Sequence, residues 1–300
     1  MTAGESVFVV VNPVAGRGRG AEVAEALLAT LDGHPGLEQA RTSSPGDESR
    51  LTEEAIRRGF RTVVAVGGDG TWGNVAGTIV RSGARVRMGL VPAGTGSDFA
   101  KSVGIPAHDL AACAAIIRAG HGRLVDVGRI EQKCFLNVAG FGYDVAVIEH
   151  TWRVRRLKGR FLYLYCALQQ LHRFRGFSVE IEADGHPEGR HDLLMLMIAN
   201  GRIFGGTFPI APNADVGDGS LDLSAFHNMT TLRRFGVLLR ILRGTHAAHP
   251  AVSTLRASRL RLRFAEPPAY ETDGDCNRAA SAEVEVACLP RAIEILVPSV

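Results

Sequence analysis

The sequence predicts a two-part protein: an α/β N-terminal domain built on a mostly parallel sheet, then a β-rich, antiparallel, sandwich-like C-terminal domain. Three observations predict it. Over the first 130 residues, short apolar runs alternate with segments of helical periodicity, which is the pattern of βαβ units. Three glycine-rich loops each follow one of those runs, so they share the carboxyl edge of the sheet, where ligands bind. Beyond residue 130, short strand-like runs dominate.

Residues 6–11 (SVFVVV) form an apolar strand and 12–20 (NPVAGRGRG) a loop. Residues 21–31 place Val23, Leu27 and Leu31 at helical spacing; 47–58 read as a second helix, capped near Gly46 and Asp47. The strand at 62–66 runs into GGDGT at 67–71. Its glycines let a backbone approach a ligand and turn N–H groups toward an anion. Asp69 would repel that anion unless a cation stood between them, so phosphate with a divalent metal satisfies the whole stretch. An ordinary tight turn is the alternative. A helix at about 72–81, a strand at 87–91 and the loop 92–98 (PAGTGSD), which opens another helix, complete the first domain, 1–130. Strands are then expected at 133–138, 177–183, 192–199, 220–225, 258–264, 282–288 and 292–297, with helices at 159–172 and 231–244. They make 131–289 the second domain, with 290–300 expected to pack back on the first.

Composition excludes several classes. With 300 residues at 46% hydrophobic, the chain can bury two cores. A net charge of +3 is too small to argue for nucleic acid, and all but three basic residues are arginine. Five scattered cysteines (113, 134, 166, 276, 288) lack CxxC spacing and read as reduced thiols. No apolar run reaches the roughly 18 residues of a membrane span, and the N-terminus carries no basic leader region; a cytoplasmic location is expected. The Walker GxxxxGK[ST] pattern and the protein-kinase motifs are absent, and GRGRGA at 16–21 is only a loose dinucleotide match.

Taken together, NPVAG (12–16), GGDGT (67–71), PAGTGSDFA (92–100), FGGTFPIAPNADVGDGSLDL (204–223) and TDGD (272–275) resemble the diacylglycerol kinase catalytic-domain family, which includes bacterial lipid kinases, sphingosine kinases and ceramide kinases. GGDGT alone is shared with phosphofructokinases and NAD kinases; the combination is far more specific. The resemblance spans essentially the whole chain. It implies the NAD kinase/diacylglycerol kinase-like fold, ATP as phosphoryl donor, Mg²⁺, and a lipid acceptor reached at a membrane surface. It puts nucleotide on Asn12, Pro13, Val14, Ala15, Gly16, Thr42, Gly68, Asp69, Gly70, Thr71, Trp72, Gly73, Asn74 and Thr95. Asp69, Asp98 and Asp126 match the acidic network around the metal. Asp275, with Asp273 beside it, matches the general base where the family usually has Asp-Gly-Glu. Asp215, Asp218 and the Ser220 carbonyl match a second, structural Mg²⁺ site.

Plainer readings stay open: Asp98 as a helix cap, Asp126 as a strand-end carboxylate, 215–220 as an Asp-Gly turn. The chain departs from the family at Asn74 (commonly Glu), Ser97 (commonly Asn) and Asp275 (commonly Glu). Segments 152–162 and 231–243 mix arginine with bulky apolar side chains. Each reads either as a rest for anionic headgroups, making the protein peripherally membrane-associated, or as a solvated helix over the β-rich core. A homodimer is compatible with the sequence. An NAD kinase-like enzyme and a catalytically weakened lipid-sensing protein are the alternative functions.

Overall fold

The run VFVVV forms β1 (Val7–Val11), buried at every position, as expected of a parallel strand covered on both faces. In this computed structural model, which describes residues 6–94, 96–154 and 160–299, there follow α1 (Ala15–Thr30), β2 (Leu37–Arg41), α2 (Asp47–Arg57), β3 (Thr62–Gly67), α3 (Asp69–Ser82), β4 (Arg87–Pro92), α4 (Asp98–Ser102) and α5 (Leu110–Ala119). Strands β2, β1, β3 and β4 lie side by side in that order and run parallel. The loops after β1, β3 and β4 therefore emerge at one edge, as the sequence predicts.

The β-rich part comprises β5 (Gly122–Ile130), β6 (Lys133–Phe135), β7 (Val138–Gly142), α6 (Tyr143–Arg153), α7 (Arg160–Arg173), β8 (Phe177–Ala183), β9 (His186–Ala199), β10 (Leu221–His227), α8 (Thr231–Leu242), β11 (Val252–Ala257), β12 (Arg259–Phe264), β13 (Ala269–Thr272), β14 (Asp275–Arg278) and β15 (Glu283–Leu296). Its strand pairs are antiparallel. Strand β15 joins the two parts: it runs antiparallel to β12 and β5, and its last residues lie parallel to β4, Glu294 opposite Arg87 and Ile295 opposite Met88. One apolar cluster holds β1, β3, β4 and the end of β15. A second lies inside the β-rich part, and a third under α8. Among the described residues no helix is long and apolar enough to cross a membrane.

Several elements differ from expectation. Helix α1 begins at Ala15, yet Gly16, Arg17 and Gly18 have φ of 57°, 67° and 95°, so the loop geometry persists to the second glycine, Gly18. The expected strands 282–288 and 292–297 are one strand, β15, whose register shifts between Leu289 and Ile293; Pro290, which has no N–H to donate, sits in that bulge. The expected strand 133–138 is split into β6 and β7. Strands β2, β5, β11, β13 and β14 and helices α5 and α6 come without having been expected.

Candidate active site

The three glycine-rich loops touch backbone to backbone. A Cβ at Gly16 would stand 2.0 Å from the Ala93 carbonyl oxygen, and one at Gly94 would stand 2.7 Å from Gly68 Cα. The N–H groups of Ala93 and Gly94 both donate to the Gly67 carbonyl, at 2.8 and 3.1 Å. Asn12 ties the first loop to the second: its Nδ2 donates to Thr71 Oγ1 at 2.9 Å, while its Oδ1 accepts from the Val14 N–H at 3.2 Å. Thr42 follows β2 at the same edge, its N–H donating to the Val11 carbonyl at 2.9 Å. Gly68 is extended, and the helix that begins at Asp69 turns its first N–H groups toward this edge. Helix N-termini arranged in this way suit an anion.

One nucleotide assignment changes. Trp72 is fully buried, its indole N–H donating to the Ala65 carbonyl at 3.1 Å and its backbone N–H to the Gly68 carbonyl at 3.0 Å. Both of its donors are occupied, so it is a core residue and cannot touch a nucleotide. Thr95 lies outside the described residues.

The acids divide by what they already hold. Asp69 caps the neighbouring helix: its carboxylate accepts from the N–H groups of Asp98 and Phe99 at 3.1 and 3.0 Å. Burial raises the Asp69 carboxyl above its ordinary range and the Asp98 charge adds to the rise. Asp98 is buried and reaches across to the β-rich part, accepting from the Gly206 N–H at 2.9 Å and from Lys101 Nζ at 3.0 Å. Asp273, at φ 51°, accepts from the N–H groups of Leu136, Asn137 and Val138 at 2.8, 2.9 and 3.0 Å. Burial still pushes its carboxyl up to about 8. Asp275 differs from all of these. Its carboxylate has no hydrogen-bond partner among the described residues, and it stands at the mouth of a cavity of about 330 Å³ lined also by Gly70, Gly73, Asn74, Arg81 and Lys133. A Cβ at Gly70 would sit 3.0 Å from Asp275 Oδ2. Surrounding protein raises the Asp275 carboxyl, with Lys133 opposing.

Sequence reasoning missed three further acids. Glu48, in the first turn of α2, is buried with Oε2 unpartnered; burial, then the Asp275 charge, raises its carboxyl. Asp144 and Glu271 are both buried, and Asp144 Oδ2 and Glu271 Oε1 stand 1.8 and 3.1 Å from where a Cβ of Gly140 would lie. Neither Asp144 oxygen has a partner, while Glu271 Oε2 accepts from the Gly274 N–H at 2.7 Å and so props the turn that carries Asp273 and Asp275. Burial raises Asp144 to about 7 and Glu271 well above its usual range. No local pattern announces such acids, because their partners lie on distant elements.

Asp126 is gathered elsewhere. Fully buried, it accepts from the Gly219 N–H at 2.6 Å and from the Arg291 N–H at 2.7 Å. Its hydrogen bonds run to the 215–220 loop and the β15 bulge, not to the acids of the cleft. Asp215 pairs with Arg123 at 3.0 Å and Asp218 with Arg256, while Asp218 Oδ1 accepts from the Ser220 N–H at 3.0 Å. Guanidinium groups thus already supply the positive charge that a structural Mg²⁺ would bring, so this donor set does not fit the ion as it stands. Among the described residues no group of three or more His, Cys, Asp or Glu is gathered as a metal site. The cleft fits better: Lys101 Nζ pairs with Asp98 at 3.0 Å, but one ammonium leaves one of the two carboxylate charges uncompensated, and Asp69 Oδ2 and Asp98 Oδ2 lie 3.5 and 3.3 Å from one point beside Gly96, where a divalent cation would find hard oxygen donors.

Residues 6–130 match the model of the diacylglycerol kinase catalytic domain, and 137–297 that of the YegS C-terminal NAD kinase beta sandwich-like domain. A diacylglycerol kinase of Mycobacterium tuberculosis is 30% identical over 97% of this chain and 95% of its own length. A Pseudomonas aeruginosa protein named probable lipid kinase YegS-like is 32% identical over 85% of this chain and 83% of its own. Among solved structures, a diacylglycerol kinase of Bacillus anthracis str. Sterne superposes with a TM-score of 0.76 at 21% identity, covering 99% of this chain and 98% of that one. An NAD kinase of Archaeoglobus fulgidus gives 0.52 at 12% identity, covering 97% and 93%; these two likenesses show the shared fold.

Proposed function

This chain belongs to the diacylglycerol kinase catalytic-domain family and is a kinase; on that premise we propose that it moves the terminal phosphate of ATP to the hydroxyl of a lipid, diacylglycerol or a sphingoid base or ceramide, with Asp275 taking the hydroxyl proton. The observation that carries the assignment is the free carboxylate. Asp69, Asp98 and Asp273 hold backbone N–H groups, whereas Asp275 faces the cavity unpartnered with a raised affinity for protons. A base needs both access and basicity. Asp is one methylene shorter than the family's Glu, and the close approach of Asp275 to Gly70 supports a hairpin that brings it to the α3 N-terminus. Lys133, on the cavity wall beside Asp275, would meet the transferring phosphoryl group. The first-turn N–H groups of α3 and the loop at Asn12 to Gly16 would hold the donor phosphates. Asp69 and Asp98 would hold Mg²⁺, which would supply charge neutralisation when bound.

Transfer of labelled phosphate from ATP, followed on diacylglycerol, ceramide, sphingosine and NAD, tests the reading. Wild type should label a lipid, and Asp275→Asn should lower turnover by roughly 10²–10⁴-fold while ATP binding survives. Labelling of NAD alone would overturn the lipid assignment, and full lipid turnover by Asp275→Asn would remove this residue as base.

A further inference from the structure

Helix α8 has three faces rather than two. Val237 and Ile241 enter the third apolar cluster. Arg234, 7% exposed, donates to the carbonyls of Leu171, Phe174 and Met229 and to Asn228 Oδ1, locking the helix to the end of α7. Leu232, Phe235, Leu239 and Leu242 recur along successive turns and stand in solvent, at 82%, 43%, 54% and 48% exposure. Beside them run Arg233, Arg240 and Arg243, all exposed and without an ion pair among the described residues, and the helix contains no acid. A helix that merely covered a core would turn polar side chains outward. An apolar stripe beside an arginine row is the composition of a helix lying in a membrane interface.

Two further features agree. At the N-terminal end of α8, His172, Arg175, Arg190, His191 and His227 line an open groove of about 910 Å³ together with one acid, Asp192, which accepts from the Ser178 hydroxyl and is outnumbered by Arg175, Arg190 and Arg234. The surface also leads to the cleft: the Tyr143 hydroxyl donates to the Ala167 carbonyl at 2.6 Å, holding α7 to α6, and α6 packs on β13 and β14, the hairpin that carries Asp275.

We propose that α8 and this groove dock the protein on an anionic lipid bilayer, with the four apolar side chains in the acyl boundary and the arginines on headgroup phosphates. The purpose of this docking rests on the lipid-kinase reading; the docking itself can be measured without it. The protein is sedimented with phosphatidylcholine vesicles with and without phosphatidylglycerol. Phosphorylation is followed separately on long-chain diacylglycerol in those vesicles and on a water-soluble short-chain diacylglycerol. Wild type should sediment with the anionic vesicles, less so at high salt. Leu232→Asp with Leu239→Asp should partition roughly tenfold less or weaker still, lose long-chain activity in proportion and keep short-chain activity. Arg233→Glu with Arg240→Glu should abolish the preference for phosphatidylglycerol. Equal sedimentation of wild type and the double aspartate variant overturns the proposal. A wild-type dimer that this variant splits into monomers overturns it too, by giving α8 to a second copy of the chain. Sedimentation of wild type without phosphorylation of either diacylglycerol supports docking and removes diacylglycerol as the acceptor; the lipid-kinase reading itself falls only if ceramide and sphingosine in the same vesicles also stay unlabelled.

Discussion

Ser97 holds a left-handed backbone, φ 51°, at the start of α4, where it is 2% exposed. The family's usual Asn tolerates this region better than most residues, because a short amide can bond locally. Ser97→Gly should therefore leave stability within about 0.5 kcal/mol of wild type, whereas Ser97→Val, β-branched in the same conformation, should cost about 1–3 kcal/mol in denaturant unfolding. Equal costs would mean that the conformation is not what constrains this position. The buried acids carry a second expectation. Asp144, raised to about 7 by burial, holds its proton more tightly folded than unfolded. From the ordinary carboxyl range up to about 7 the native state carries the extra proton, so this group's contribution to stability is full at low pH and is lost as pH rises. Asp144→Asn cannot ionise, and its amide can donate to Glu271. The fall in unfolding free energy between about pH 4 and pH 7 should flatten by on the order of 2 kcal/mol. An unaltered slope would place the titration elsewhere. Sequence alone exposes Asp69, because glycines flank it, and the family resemblance of TDGD exposes Asp275. Neither exposes the helix that Asp69 caps or the N–H groups that Asp273 holds, since those partners are far along the chain.

The elements that were legible are those with a local signal. Runs such as VFVVV and TVVAVG need only their own residues to declare a buried strand, and the loops after them only their glycines. β2, with the sequence LEQAR, is a polar strand at the sheet edge and has no such signal. The α3 N-terminus offers a test at this scale. Gly70 has no positive φ, so alanine suits its backbone, yet the new Cβ would stand 3.0 Å from Asp275 Oδ2. The flexible carboxylate can yield, so Gly70→Ala should melt at nearly the wild-type temperature while turnover falls roughly tenfold to hundredfold through a displaced base. Gly94→Ala meets backbone instead, at 2.7 Å from Gly68 Cα, and should lose stability and activity together. Wild-type turnover in Gly70→Ala would separate Asp275 from the chemistry at this helix end.

At the scale of the molecule, the cleft is framed by contacts between the two parts of the chain. Asp98 and Lys101 bind Gly206, Asp273 binds the start of β7, and β15 continues from the β-rich part into the parallel sheet. Sequence shows the change of pattern near residue 130 but not this continuity, because whether two strand edges meet is decided by the folded whole. Pro290 made β15 look like two strands for the same reason: the bulge it occupies is held from outside. Asp126 does the holding, with one oxygen on the Arg291 N–H in the bulge and the other on the Gly219 N–H, and no exposed surface at all. Asp126→Asn keeps the shape but turns an amide donor toward one of those two N–H groups. That leaves a buried donor unsatisfied, at a cost of about 1–3 kcal/mol, so the melting temperature should fall by roughly 2–10 °C. The fall should be the same in EDTA as in Mg²⁺, because the partners are backbone amides. Turnover should drop with stability and recover partly on cooling. If Asp126→Asn instead melted like wild type in EDTA and differed from it only in Mg²⁺, the residue would belong to a metal site, and the joint between β5, the 215–220 loop and β15 would have to be held by other groups.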